Sequence, residues 1–181
     1  IVMREEEGGW CLGDWCAPNN INLIPEPFIN TYFFIKCCIL TKKSAEILGF
    51  NDDADALEDK IKVLKDAFCR EYYNAETHSF YNGVQGADAF ALDIGLGDEQ
   101  TLANLVKHYE ELGEYDTGIF GTDIVTKILF ENGYCDLAFR LMTADTEISF
   151  ANMKKGGVVT LWENWDGCDS LSHPTLGAVS E

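Results

Sequence analysis

Positive charge is scarce in this chain. Thirteen Lys and Arg stand against 31 Asp and Glu, a formal net charge of −18, so a phosphate backbone or an anionic membrane surface would be repelled. Nucleic acid and membrane are excluded as partners on that ground. Long apolar runs are missing too: Phe33 to Leu40 is the longest and is broken by Lys36, far short of the ~18 residues needed to cross a bilayer. At the start, Ile1-Val2-Met3 has no initiator Met at position 1 and no charged segment leading into an apolar one, so no signal peptide is legible. The end at Ser180-Glu181 is as abrupt, and the expectation is a piece of a longer polypeptide.

Metal-ligand spacing is also lacking. The seven cysteines are odd in number, and Cys37 and Cys38 lie side by side in an apolar stretch, where thiols serve as small buried hydrophobes. Cys11 and Cys16 are spaced as half of a zinc site, but no second Cys or His pair completes it, and His78, His108 and His173 are scattered. We expect no metal and no cofactor. Free thiols favour a reducing, cytoplasmic compartment.

What is present is a composition that folds, 46% hydrophobic and 12% aromatic over 181 residues, enough for one domain with a core. The periodicity is helical almost throughout. Pro25 and Pro27 introduce a first helix, Phe28 to Leu48, stopped by Gly49, whose near-continuous apolar face implies burial on several sides. Asn51 to Asp53 offer N-cap chemistry for a second helix that repeats Leu57, Ile61, Leu64 and Phe68 on one stripe and ends near Tyr73. Further helices are expected over 87–96, from Gly97-Asp98 to Gly113, over 122–131 and over 134–144. After Thr146 the helical period fails, and Gly156-Gly157 followed by Val158 to Leu161 reads as a turn and a short β run. The class is all-α: antiparallel helix pairs with short β excursions in loops.

Chemistry concentrates where the helical pattern breaks. In Thr160-Leu161-Trp162-Glu163-Asn164-Trp165-Asp166-Gly167 a carboxylate lies between two tryptophans, at the end of the expected short strand. Aromatic faces stack on sugar rings, and a carboxylate beside them can take a proton from water or hold hydroxyls. A Trp-rich hydrophobic corner with a solvated Glu has the same spacing. The cluster Gly8-Gly9-Trp10-Cys11-Leu12-Gly13-Asp14-Trp15 repeats the Trp–carboxylate pairing, and Ser172-His173-Pro174 follows 10 residues after Glu163.

Those segments, together with 121–122, 132–138, Leu176-Gly177-Ala178-Val179 and the Gln85 neighbourhood, resemble in the same order the catalytic domain of bacterial α-L-rhamnosidases of glycoside hydrolase family 78. The most specific part is Trp-Glu-x-Trp-Asp-Gly. The resemblance implies an (α/α)6 barrel and inverting hydrolysis of terminal α-L-rhamnosides. It implies that Glu163 is the general base, that His173 touches the bound sugar, and that Asp14, Trp15, Trp162 and Trp165 shape the sugar pocket, Asp14 as a hydroxyl ligand. The family's general acid sits in an arginine-containing acidic motif upstream of Gly-Asp-Trp; Glu5, Glu6 and Glu7 lack the rest of that motif.

Twelve helices of ~11 to 12 residues with their connections need on the order of 200 residues, and about six are legible here. Residues 1–181 are therefore expected to form part of a single (α/α)6 domain, truncated at both ends, whose uncovered helix faces favour self-association. The expected partner is a carbohydrate ending in L-rhamnose. Another six-hairpin glycosidase and a non-catalytic carbohydrate-binding helical domain are the alternatives.

Overall fold

The computed structural model describes residues 11–155, 157 and 159–180. Seven α-helices occur among them: α1 (Glu26–Leu48), α2 (Asn51–Tyr72), α3 (Ala87–Asp93), α4 (Glu99–Leu112), α5 (Ile119–Glu131), α6 (Cys135–Met142) and α7 (Phe150–Lys155). A two-stranded antiparallel ribbon, β1 (Tyr73–Asn74) with β2 (Ser79–Phe80), follows α2 and pairs Tyr73 with Phe80. Short 3-10 segments cover Pro18–Asn20, Tyr81–Gly86 and Thr175–Ser180.

The first two helices form a hairpin. α1 opens behind Pro25 and ends at Gly49, whose left-handed φ of 79° turns its N–H back to the carbonyls of Ala45 and Glu46. Only Gly49 and Phe50 separate it from α2, so the two run antiparallel. Phe28, at the start of α1, accordingly meets Phe68 and Tyr72, at the end of α2, with ring centroids 4.6 and 4.9 Å apart. Further along, Lys42 donates to Glu58 at 2.7 Å.

Two expectations about this hairpin are corrected. α1 is buried along its first half by Phe28, Ile29, Tyr32 and Ile35, whereas Leu40, Ile47 and Leu48 are exposed; among the described residues its C-terminal half packs on α2. The N-cap of α2 is Phe50, with no side-chain capping bond, because the two-residue connection leaves Asn51 to Asp53 inside the first turn.

Burial culminates in α3, where Ala87, Ala89, Phe90 and Ala91 are fully buried. The small side chains let α4 and α5 approach from either side, and Phe90 joins Phe28, Tyr32, Phe68 and Phe80 in the aromatic core. Each such ring contributes on the order of 1.5–3 kcal/mol by leaving water. α4 is closed by a capping box in which Asp98 accepts from Thr101 N while Thr101 Oγ1 accepts from Asp98 N. α6 covers α5 through Leu137, Ala138 and Leu141.

The segment after Thr146 differs from the sequence reading. Helix α7 was not expected, and residues 159–161 are irregular, with Val159 fully exposed; Val158 lies outside the described residues. A β run there has no partner strand among the described residues. Trp162 and Glu163 therefore sit on a loop of bends and turns rather than at a strand end.

Candidate functional site

Glu163 and Trp15, 148 residues apart, meet in space: the Trp15 indole Nε1 donates to Glu163 Oε1 at 3.1 Å. Both side chains are half-buried. What holds each in place is different.

Trp15 is fixed through the helix it does not belong to. A helix start exposes N–H groups that have no intrahelical acceptor, and at α5 these are met by the segment Asp14-Trp15. Asp14 Oδ2 accepts from Gly118 N at 2.7 Å, and its Oδ1 accepts from Phe120 N at 3.0 Å and Gly121 N at 2.9 Å. The Trp15 carbonyl takes Ile119 N at 2.8 Å. Four consecutive donors are thus satisfied by two residues from the far end of the chain. This remote cap explains why α5 begins at Ile119 rather than at Thr122, where the sequence suggested.

The approach is so close that only glycine fits. A Cβ on Gly118 would lie 2.2 Å from the Trp15 carbonyl oxygen, and one on Gly121 would lie 2.6 Å from Asp14 Oδ2. Asp14 itself is buried. Burial pushes its carboxyl up to about 6, while the N–H groups of Gly121, Gly118 and Phe120 pull the other way. With both oxygens engaged by backbone N–H groups, Asp14 caps α5 and ties the segment that carries Trp15 to it.

A second clamp follows. Gln85, buried and at a left-handed φ of 45°, donates through Nε2 to Ile21 O at 2.7 Å and accepts from Leu23 N at 2.6 Å. Its own N–H donates to Asp116 Oδ2, which also takes His108 Nε2 at 2.8 Å, while Tyr109 donates to Asp116 Oδ1. The hydrogen bond to Asp116 holds the His108 imidazole above its usual pKa, against the opposing effect of burial.

Glu163 rides on a loop closed on itself. Its N–H donates to Ser170 O at 2.8 Å, and His173 N donates to Leu161 O at 2.8 Å. His173, half-buried, is positioned by that backbone pairing. The two flanking tryptophans anchor the loop: Trp165 is 3% exposed, donates to Thr117 O at 2.8 Å, and stacks on Tyr115 at 6.0 Å with 14° between the planes. Trp162 is also buried, its ring so near Gly167 that a Cβ there would lie 2.9 Å away, and its Nε1 has no hydrogen-bond partner among the described residues. Thus Trp15 and Glu163 converge, while Trp165 belongs to the core beneath them.

Sequence reading missed the Gly118-x-x-Gly121 pair and the role of Thr117 as the carbonyl that seats Trp165. Two glycines three apart at a helix start were the available signal. Cys16, at a left-handed φ of 63° beside this loop, has its thiol pushed up to about 12 by burial and by the carboxylates of Glu163 and Asp169. All seven cysteines are free thiols, and no group of three or more His, Cys, Asp or Glu side chains is placed to hold a metal among the described residues. No helix among them is long and apolar enough to cross a membrane.

Comparison with known proteins matches residues 3–181 to a family described as the bacterial alpha-L-rhamnosidase 6 hairpin glycosidase domain. An alpha-L-rhamnosidase of Alteromonas sp. (strain LOR) is 31% identical over 198 residues, covering 93% of this chain and 21% of that protein. One from Formosa agariphila is 28% identical, covering 93% and 20%. Among solved structures, the Streptomyces avermitilis alpha-L-rhamnosidase complexed with L-rhamnose superposes with a TM-score of 0.82 at 25% identity, covering 93% of this chain and 17% of that one. The native Aspergillus terreus enzyme, at 16% identity and a TM-score of 0.87, shares the fold over 96% of this chain and 23% of that one. The chain spans about a fifth of the length of the curated relatives it matches.

Proposed function

The chain belongs to the bacterial alpha-L-rhamnosidase six-hairpin glycosidase domain family, and on that premise we propose that it supplies the water-activating side of a site that hydrolyses terminal α-L-rhamnosides with inversion. Glu163 is the general base: its carboxylate takes a proton from the water that attacks the anomeric carbon as the glycosidic bond breaks. The observation that carries this reading is the 3.1 Å bond from Trp15 Nε1 to Glu163 Oε1. It orients the carboxylate, while Oε2, which makes no hydrogen bond among the described residues, is left for water.

In an inverting enzyme the acid that protonates the leaving oxygen stands roughly 6.5–9.5 Å from the base, leaving room for that water. No carboxylate of this chain is assigned to that role. Trp15 orients the base and walls the sugar, His173 reaches the sugar from the closing end of the Glu163 loop, and Trp162 and Trp165 hold that loop in place. The free thiols support a reducing compartment.

The test is Glu163→Gln in the full-length protein, assayed on an aryl α-L-rhamnoside with the anomer of the released sugar read by NMR. The expected results are an inverted first product for the native protein and a large loss of turnover for the variant.

A further inference from the structure

Glu163 and His173 lie on the two arms of one turn. Glu163 N donates to Ser170 O at 2.8 Å and His173 N donates to Leu161 O at 2.8 Å, so residues 161–163 run beside residues 170–173. The arms are held differently. Trp162 and Trp165, both buried, anchor the outgoing side in the core, whereas Cys168 to Ser172 on the return are all exposed. At the tip the return is tied to the anchored side by Asn164, 3% exposed, whose Nδ2 donates to Asp169 Oδ2 at 2.8 Å and to Cys168 Sγ at 3.1 Å. We infer that Asn164 and Asp169 form a positioning pair for the base: their side-chain bond closes the turn and holds the Glu163 carboxylate where the Trp15 N–H meets it. The inference rests on the reading of Glu163 as the base and goes beyond it by naming residues that act on the reaction through Glu163.

Register is the first support. Asn164 follows Glu163 and Asp169 precedes Ser170, so the side-chain bond stands one step beyond the backbone bond between Glu163 and Ser170. Two adjacent rungs resist a twist that one alone permits. A misplacement of about 1 Å at a reacting group can cost on the order of 100-fold in rate, which makes the second rung matter for the base.

The chemistry of the pair is the second. A carboxylate only accepts, and a primary amide offers two donors; Asn164 spends them on the adjacent residues Asp169 and Cys168. Being neutral, the amide is buried at far lower cost than a lysine or arginine would be. It also reaches Asp169 without placing beside Glu163 a cation that would compete with Trp15 for the carboxylate.

Charge is the third. Glu163, Asp166 and Asp169 fall within seven residues, and like charges so close along a chain repel. Each has its own donor: Trp15 Nε1 for Glu163, Cys168 N at 3.0 Å for Asp166, and Asn164 Nδ2 for Asp169. Without the last of these, Asp169 is free to move away from Glu163 and to carry Ser170 with it.

The experiment measures hydrolysis of an aryl α-L-rhamnoside by the full-length protein, with thermal midpoints confirming that each variant is folded. Asp169→Ala, at an exposed position, deletes the acceptor, and Asp169→Asn keeps one in its carbonyl. Asp169→Ala is expected to lower kcat at least about tenfold with KM changed by less than about threefold, and Asp169→Asn to stay within about threefold of the native kcat. Asn164→Ala should also lower kcat at least about tenfold, and adding Asp169→Ala to it should cost no more than about twofold further, because the bond is already gone. If Asn164→Ala folds poorly, the two Asp169 variants carry the test alone. Glu163→Gln is measured alongside: native kcat in that variant would overturn the reading of Glu163 and this inference with it. With Glu163→Gln impaired, the positioning pair alone would be overturned by native kcat in Asp169→Ala, by a loss carried by KM instead of kcat, by Asp169→Asn as slow as Asp169→Ala, or by a double variant about tenfold slower than Asn164→Ala.

Discussion

Asp14 and Gly118 stand 104 residues apart in the chain and 2.7 Å apart in space, carboxylate oxygen to backbone nitrogen. Through that contact the N-terminus of α5 and the loop bearing Trp15 become one unit, and Trp15 is delivered to Glu163. The consequence for mutagenesis is that residues that hold Trp15 in place govern the site through geometry.

Asp14→Ala removes the acceptor for three buried or half-buried N–H groups. Losing a cap costs about 0.5–2 kcal/mol, and each buried unsatisfied group about 1–3, so a loss of about 3 kcal/mol is expected. Asp14→Asn, which keeps one carbonyl acceptor, should lose less. Urea titration followed by tryptophan fluorescence measures both, and an Ala variant as stable as the native protein would contradict the capping role.

Glycine positions should divide by mechanism. Gly113, at φ 75° with open space around it, would cost about 1–2 kcal/mol as alanine, from the left-handed backbone alone. Gly118→Ala drives a Cβ into the Trp15 carbonyl and should cost clearly more, and it should also displace Trp15. Comparing the thermal midpoints of the two variants decides this; equal losses would mean that the Asp14-Trp15 segment yields freely.

Trp15→Phe deletes the N–H that holds Glu163 Oε1 while keeping an aromatic wall. Turnover of an aryl α-L-rhamnoside is expected to fall about tenfold or more with KM little changed, because the carboxylate loses the donor that orients it. A KM that rises with kcat unchanged would show that Trp15 acts on the sugar only.

His108 gives a pH dependence to stability. Its folded pKa is raised above 6.5 by the bond to Asp116, with Asp88 and Glu111 adding attraction. A raised pKa contributes stability that is full below the unfolded value and is lost as pH rises through the folded one. Native stability should therefore fall from about pH 6.5 upward, and His108→Gln should flatten that part of the curve. An unchanged slope in urea midpoints against pH would remove His108 from the account.

The tip of the α1–α2 hairpin exposes Leu40, Ile47, Leu48 and Phe50, with Ile47 at 85%. A patch of this kind on an isolated chain favours association. Light scattering on residues 1–181 should give a mass that grows with concentration, and Ile47→Lys with Leu48→Glu should reduce it.

The helices were legible because their signals are local. Gly49 and Gly113 end α1 and α4 where the left-handed C-cap demands them, and the stripe of Ile61, Leu64 and Phe68 marks the buried face of α2. The Trp-Glu-x-Trp cluster was visible as chemistry for the same reason. What stayed hidden depends on long-range contact. Nothing near Thr122 says that a carboxylate more than 100 residues away will cap α5 a turn earlier. Likewise Trp162 and Trp165 have the same spacing whether they face a sugar or the core, and only the bond to Thr117 and the stack on Tyr115 place Trp165 beneath the loop. The valines at 158–159 have β propensity, but a strand needs a neighbour to pair with.

The most direct test of the central claim is steady-state hydrolysis of an aryl α-L-rhamnoside by the full-length protein and its Glu163→Gln variant. A general base contributes about 10² to 10⁴ in rate and little to ground-state affinity. The expected result is therefore a fall in kcat of at least about 100-fold with KM changed by less than about threefold. Undiminished kcat in the variant would contradict the assignment of Glu163 as the base.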